Sequence, residues 1–245
     1  MLDYTKEAAD YDETRGGVPR AEAAASAVLG LVPRATRTLL DVACGTGIVP
    51  ERLARPGLRV SGVDPASGMA RRAAERLPGA VVIGDGRQLP FPDASFDAVS
   101  AVWLLHLVAV AEAERIVGEC ARVLRPGGVF VTTVDKDAGH DVGSDIDAVF
   151  APHLSNVASD RADLIEGYAR ACGLEPAGEA RFPGHGQGRS ALRTAAAVRR
   201  GHYVSRLTVR GAEAEQVAAQ LEALPEPDRP RADPVYRLSA FRRPG

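Results

Sequence analysis

Short apolar runs alternate with stretches in which apolar positions recur every three or four residues, beginning at Thr38 and continuing to about residue 183. The runs suit strands buried on both faces, and the wider spacing suits helices with one buried stripe. Strands are predicted at Thr38–Val42, Arg59–Asp64, Ala80–Ile83, Phe96–Val102, Val129–Val134, Leu174–Phe182 and Val235–Phe241. Helices are predicted at Ile48–Leu53, Ser67–Leu77, Ala111–Leu124, Asp160–Cys172, Ser190–Arg200 and Ala212–Leu224; in the third, Ile116, Val117, Cys120, Val123 and Leu124 share one face. Arg125-Pro-Gly-Gly128 should end that helix, since proline and paired glycines stop helices and reverse the chain. Ser159 or Asp160 should cap the next helix and Gly173 should end it. Lys136–Asp145 is polar and reads as a loop at a strand's carboxyl end, where ligands bind. This alternation predicts a parallel sheet wrapped by helices.

The exit of the first strand carries the clearest chemistry. Leu39-Leu-Asp41-Val-Ala43-Cys44-Gly45-Thr-Gly47 runs from buried strand into a turn of small residues, which leaves backbone bare for a ligand. A dinucleotide enzyme would place a third glycine where Pro50 stands, so a nicotinamide oxidoreductase is disfavoured. Asp64 ends the second strand 17 residues beyond Gly47, close to the spacing of an acid that accepts from ribose hydroxyls. An N-cap for the helix that follows Pro65 is the alternative, and both could hold together. Gly84-Asp85-Gly86 follows the third strand, then Leu89-Pro-Phe-Pro, then Phe96-Asp97 at the opening of the fourth, and Leu124-Arg-Pro-Gly-Gly128 precedes the fifth.

In order and spacing, these motifs over residues 38–135 resemble the class I S-adenosylmethionine-dependent methyltransferases, in particular the small-molecule and quinone-type members. The resemblance implies a doubly wound, mostly parallel seven-stranded sheet with an antiparallel last strand. It implies a lid at 1–36, a cofactor-binding core at 37–183, a helical insertion serving as substrate cap at 184–234 and a final core strand at 235–245. The cofactor would be S-adenosyl-L-methionine, with Asp64 at the ribose, Asp85 with Gly86 or Arg87 at the adenine, and Ala43, Gly45 and Gly47 at the methionine portion. Asp41, Cys44, Pro65, Met69, Gly84, Ala101 and Val102 complete the implied cradle. Tyr11-Asp-x-x-Arg15, preceded by Tyr4, resembles a lid in which Tyr11 and Arg15 close over the cofactor carboxylate, a task that suits a guanidinium. The same spacing also suits a solvated helix face.

A sulfonium methyl is already activated, so the protein has mainly to align a nucleophile and exclude water. Histidine suits a hydroxyl acceptor as base. His106, just past the fourth strand, leads, with His140 and His185 on later loops that rise on the ligand side; Trp103, His106 and Arg189 are the expected substrate contacts. O-methylation is preferred over C- or N-methylation. The Asn/Asp-Pro-Pro-Tyr/Phe clamp of base- and glutamine-methylating relatives is replaced by Ala101-Val-Trp-Leu. No metal is expected, though Asp135, Asp137 and Asp141 are scattered acids after the fifth strand.

Composition narrows the partners. A net charge of −2 argues against nucleic acid, and no run of 18 apolar residues marks a membrane span, so the expected compartment is the cytoplasm. Cys44, Cys120 and Cys172 are odd in number and lack metal-ligand spacing, which favours free thiols. The segment 184–234 could alternatively be the surface of a homodimer. A protein that binds the cofactor without transferring its methyl would keep the same motifs.

Overall fold

A computed structural model describes residues 11–154, 158–202 and 207–245, so Tyr4 lies outside the described residues. Seven strands form one sheet: β1 (Thr38–Val42), β2 (Arg59–Asp64), β3 (Val81–Ile83), β4 (Phe96–Ala101), β5 (Leu124–Val134), β6 (Glu175–Pro183) and β7 (Val235–Arg242). Their order is β3-β2-β1-β4-β5-β7-β6, with β7 antiparallel to both neighbours and the remaining pairings parallel. The helices are α1 (Tyr11–Thr14), α2 (Gly17–Leu31), α3 (Ile48–Leu53), α4 (Ser67–Arg76), α5 (Val110–Val123), α6 (Asp145–Phe150), α7 (Ala162–Ala171), α8 (Ala191–Arg199) and α9 (Gly211–Glu222). Among the described residues no helix is long and apolar enough to cross a membrane.

Successive residues of a strand face opposite ways, so Leu39 and Leu40 serve two cores. Leu40, Val99 and Phe130 pack under Ile116, Val117 and Cys120 of α5 and Ile165 and Ala169 of α7. Leu39, Ala98, Val129 and Val131 pack under α2 and α3, where Ala21, Ala24, Ala25 and Val28 let α2 lie close on the sheet. A third apolar cluster joins Ile146 and Phe150 of α6 to Ala195 and Val198 of α8 and to Val217 and Leu221 of α9. From β1 the chain winds outward to β2 and β3, then returns to β4 on the other side. The carboxyl ends of β1 and β4 therefore diverge and open a crevice.

Several boundaries differ from expectation. α5 ends at Val123, and Arg125–Gly128 falls inside β5 as an irregularity between the Phe96↔Leu124 and Ala98↔Val129 pairings. Gly128 is required there because a Cβ would lie 2.8 Å from the Arg125 carbonyl and 2.9 Å from that of Asp97. Neither Ser159 nor Asp160 caps α7. The Ser159 hydroxyl donates to the Leu105 carbonyl at 2.7 Å and Asp160 accepts from the Lys136 amide, while Asp135 accepts from the Ala162 amide at 3.1 Å. The stretch read as pure loop contains a 3₁₀ turn at Ala138–His140 and leads into α6, which opens with a Ser144–Asp147 capping box.

Asp97 fastens the amino ends of the central strands. Its Oδ2 accepts from the Arg37 amide at 2.9 Å, the Thr38 amide at 2.9 Å and the Thr38 hydroxyl at 3.0 Å, while Oδ1 accepts from Arg125 at 2.8 Å. Burial alone would raise its pKa, but Arg125 and the amide donors hold it below the usual carboxylate range. Its stabilisation is thus present above the unfolded carboxylate pKa and is lost as pH falls through the folded one. Asp97→Ala should cost about 2–3 kcal/mol in urea unfolding at pH 7, by analogy with the loss of charged hydrogen bonds. The gap to wild type should narrow on acidification; equal loss at pH 3 and pH 7 would refute this role.

Candidate active site

The glycine turn after β1 is held in the left-handed region at Ala43 (φ 57°), Gly45 (φ 56°) and Gly47 (φ 80°). A Cβ on Gly47 would lie 2.9 Å from the Ala73 Cα of α4, so the turn and this helix touch backbone to backbone. A Cβ on Gly62 of β2 would lie 2.7 Å from the Cys44 sulfur, so the Cys44 side chain fills the space over β2. Burial, with Asp41 and Asp64 nearby, pushes the Cys44 thiol pKa up. Above Gly45, by contrast, a Cβ would meet nothing within 4 Å. There the backbone faces open space that a ligand can occupy.

Two carboxylates underlie this turn. Asp41, 3% exposed, accepts from the Ser100 hydroxyl at 2.5 Å across the β1–β4 pairing. Burial pushes its pKa up to about 7, with Asp64 adding to the shift and Ser100 opposing it. Asp64 accepts from the Gly45 amide and the Ala66 amide, each at 2.9 Å, so it both ties the turn and satisfies the start of α4. Burial raises its pKa as well. Among the described residues neither acid has an ion-pair partner. Pro65 is exposed beside Asp64, Met69 is buried in α4, and Ala101 and Val102 are buried at the end of β4.

Asp85 is half-buried and held bidentately by Arg87, whose Nε lies 3.0 Å from both oxygens; this pairing lowers its pKa. Arg87 also pairs with Glu112. Gly84 and Gly86 leave room for packing: Cβ atoms there would lie 3.0 Å from Pro90 and 3.1 Å from Val42. Open backbone at Gly45, an acid with spare lone pairs at Asp64 and a second acid at Asp85 fit a cationic adenosyl cofactor such as S-adenosylmethionine.

The N-terminal segment is bound to this turn through a residue whose spacing also suited a solvated face. Asp12 accepts from the Thr46 hydroxyl at 2.6 Å and pairs with Arg76 at 2.8 Å, and Arg76 donates to the Thr46 carbonyl at 2.7 Å. Arg15 lies with its guanidinium carbon 5.6 Å from the Tyr11 ring centroid. Gly16 (φ 87°) abuts the loop after β6, since a Cβ there would lie 2.3 Å from the His185 carbonyl. That loop contributes its backbone; the His185 residue is exposed.

A second half of the site lies past β4. Trp103 adopts φ 58°, unusual for a bulky residue, with its amide donating to the Thr133 hydroxyl at 2.8 Å. Its ring contacts Phe182 and Tyr236 at 5.8 Å, and the Arg20 guanidinium stacks on it at 3.4 Å. His140 meets the Tyr236 hydroxyl at 3.4 Å. His106 is half-buried with Nδ1 enclosed and no partner for it among the described residues. Burial, then Lys136, push its pKa well below the imidazole range, while Asp137 opposes them. Asp137 is half-buried as well, yet Lys136, bonded at 2.9 Å, holds it below the usual carboxylate range against the effect of burial. Arg189 adds a positive field at Asp137 and Tyr236. Among the described residues no group of three acids, histidines or cysteines is placed to hold a metal.

Structure thus gathers Trp103, His106, His140 and Arg189 around residues the motifs did not flag. Tyr236 and Arg20 lie within an ordinary strand and an alanine-rich helix, and Lys136–Asp137 looked like loop polarity. A surface hollow between Leu29–Arg34 and Arg55–Pro56 lies at the amino ends of the strands, away from these groups.

Comparison with known proteins agrees with this geometry. Residues 40–132 match the methyltransferase domain family. An uncharacterized methyltransferase of Geobacillus kaustophilus is 30% identical over 144 residues, spanning 51% of this chain and 67% of that protein. A demethylmenaquinone methyltransferase of Symbiobacterium thermophilum is 36% identical over 103 residues, spanning 38% of this chain and 40% of that one. Among solved structures, the cyclase SpnF superposes with a TM-score of 0.62 at 22% identity, covering 98% of this chain and 93% of its own.

Asp41 makes the site's charge depend on pH. Below the unfolded pKa of about 4 it is neutral in both states. As pH rises to 7 the unfolded chain releases a proton that the fold retains, so stability falls. A cationic ligand reverses the preference and expels that proton. Affinity for S-adenosylmethionine should therefore rise about tenfold from pH 6 to pH 8, with proton release seen by calorimetry in buffers of different ionisation enthalpy. Asp41→Asn should abolish that release and raise the ligand-free melting point at pH 8 by on the order of 5 °C. Unchanged proton release in the variant would contradict the assignment.

Proposed function

This chain belongs to the class I S-adenosylmethionine-dependent methyltransferases, and from that premise we propose that it methylates a small molecule, on oxygen in preference to carbon or nitrogen. The observation that carries the reading is the cluster past β4 in which Tyr236 meets Trp103 and His140 ring to ring and Arg20 stacks on Trp103, with the Lys136–Asp137 pair on the loop after β5. Its aromatic and charged groups suit a compact acceptor. The net charge of −2 supplies no general attraction to nucleic acid. Similarity to proteins named for demethylmenaquinone supports a small acceptor too.

Bound S-adenosylmethionine supplies a methyl group activated by its sulfonium. Asp64 would hold the ribose, Asp85 with Gly86 or Arg87 the adenine, and the backbone of Ala43, Gly45 and Gly47 the methionine portion. The Asp12–Thr46–Arg76 bonds hold the N-terminal segment over the turn and help exclude water. His106 accepts the acceptor's proton, and the charge of Asp137 nearby stabilises the imidazolium. In the ligand-free site the imidazole is too weakly basic for this task, because burial and Lys136 disfavour its charge. An acceptor that brings negative charge offsets that field and lifts its basicity toward the working range. His140 is the alternative base, and His185 is too exposed to be enclosed with the acceptor. The segment 184–234, joined by α6, serves as the substrate cap.

A second reading is cofactor binding without methyl transfer, kept because a cyclase shares the fold. Methyl-labelled S-adenosylmethionine incubated with the protein and a metabolite extract should yield a labelled small molecule. Cofactor binding with no label transferred would favour the second reading. With an acceptor in hand, His106→Gln should lower kcat about 100-fold with little change in KM; full turnover would remove His106 from the chemistry.

A further inference from the structure

Among the described residues Arg20 is a buried charge without an ion pair. At 8% exposure it makes one hydrogen bond among the described residues, from Nη1 to the Arg15 carbonyl at 2.7 Å, and its enclosed Nε donates to nothing. Buried guanidinium groups ordinarily sit against carboxylates, because an unpaired charge in the interior is strongly unfavourable. Stacking on Trp103 at 3.4 Å, with Tyr236 at 6.0 Å, offsets part of this through cation–π attraction. A guanidinium stacked by its face keeps its in-plane N–H edge available to a planar oxyanion.

Asp41, Asp64 and Asp85 lie at the ends of β1, β2 and β3, on the cofactor side. Arg15, Arg20, Lys136 and Arg189 act on the side of β4, β5 and β7, where Asp137 is bonded to Lys136, Asp135 pairs with Arg237 and Asp160 accepts from the Lys136 amide. The groups that act on Arg20 among the described residues are Tyr236, Tyr11 and Arg15, with no carboxylate among them, so an anion is favoured at Arg20 itself.

We propose that Arg20 is the receptor for a carboxylate carried by the methyl acceptor, which makes the acceptor an organic acid. This rests on the small-molecule methyltransferase reading. Trp103 is the sole tryptophan of the chain, so its emission reports directly on the Arg20 stack.

The protein saturated with S-adenosylhomocysteine is titrated with acetate, benzoate and 4-hydroxybenzoate, and with 4-hydroxybenzamide as the neutral match. At least one carboxylate should change Trp103 emission saturably below 10 mM, with the amide at least tenfold weaker. Arg20→Gln should erase that difference, Arg20→Lys should keep part of it, and affinity for S-adenosylhomocysteine should move less than twofold in both. The lysine variant keeps the test open if the glutamine variant does not fold. Equal response to acid and amide, no response to any carboxylate, or an unchanged response in both variants overturns the proposal. So does a tenfold loss of S-adenosylhomocysteine affinity in Arg20→Gln with 5′-methylthioadenosine unaffected, which would give Arg20 to the cofactor's own carboxylate. Failure of wild type to bind S-adenosylhomocysteine at all would instead sink the methyltransferase reading.

Discussion

Two carboxylates, Asp41 and Asp64, are buried at the ends of adjacent parallel strands, with a hydroxyl and backbone amides as partners and, among the described residues, no cation. That arrangement governs the rest of the site. Interior carboxylates without cations are unfavourable, and here the Ser100 hydroxyl and the amides of Gly45 and Ala66 only partly offset the penalty, as the raised pKa of each acid reflects. The sheet order places them where β1 and β4 part, beside a turn whose backbone is open at Gly45. A fold that keeps such a pair is less stable without its ligand than it could be, and a cationic ligand restores the balance. Cofactor preference thus follows from where the acids are buried as much as from the glycines.

The same logic with opposite sign applies past β4. Arg20 is buried on an aromatic face, and His106 is kept neutral by burial and by neighbouring cations. The two halves are mechanically linked: Asp12 fastens the N-terminal segment to the glycine turn, and the helix that follows carries Arg20 onto Trp103. Gly16, which no side chain could replace without striking the His185 carbonyl, brings the loop after β6 against that same segment. The two halves of the candidate site therefore share one structural element.

Most of the core was legible because its signals are local. Strands buried on both faces, such as β1 and β4, show as apolar runs, and α5 shows its stripe at Ile116, Val117 and Cys120. Gly173 marked the end of α7 through its left-handed φ of 75°. The misreadings share a cause in long-range bonding. Asp135, far in sequence, supplies the cap expected of Ser159 or Asp160, and β5 pairs through the Arg125–Gly128 irregularity rather than starting beyond it. Helix α6 is short and shares its apolar cluster with the distant α8 and α9 and with Leu207 and Val209. At the site, spacing put Asp64 at the end of β2, where it stands, and the resemblance supplied Asp41 and Asp85. Arg20 and Tyr236 could not be read this way, since an arginine on an alanine-rich helix and a tyrosine in a strand carry no pattern until the fold stacks them on Trp103.

The most direct test is an experimental structure of the complex with S-adenosylhomocysteine. The account predicts ribose hydroxyls on Asp64, the amino-acid end over the open backbone at Gly45, and Arg20 still stacked on Trp103 without touching the cofactor. A cofactor bound elsewhere, or one whose carboxylate sits on Arg20, would contradict it.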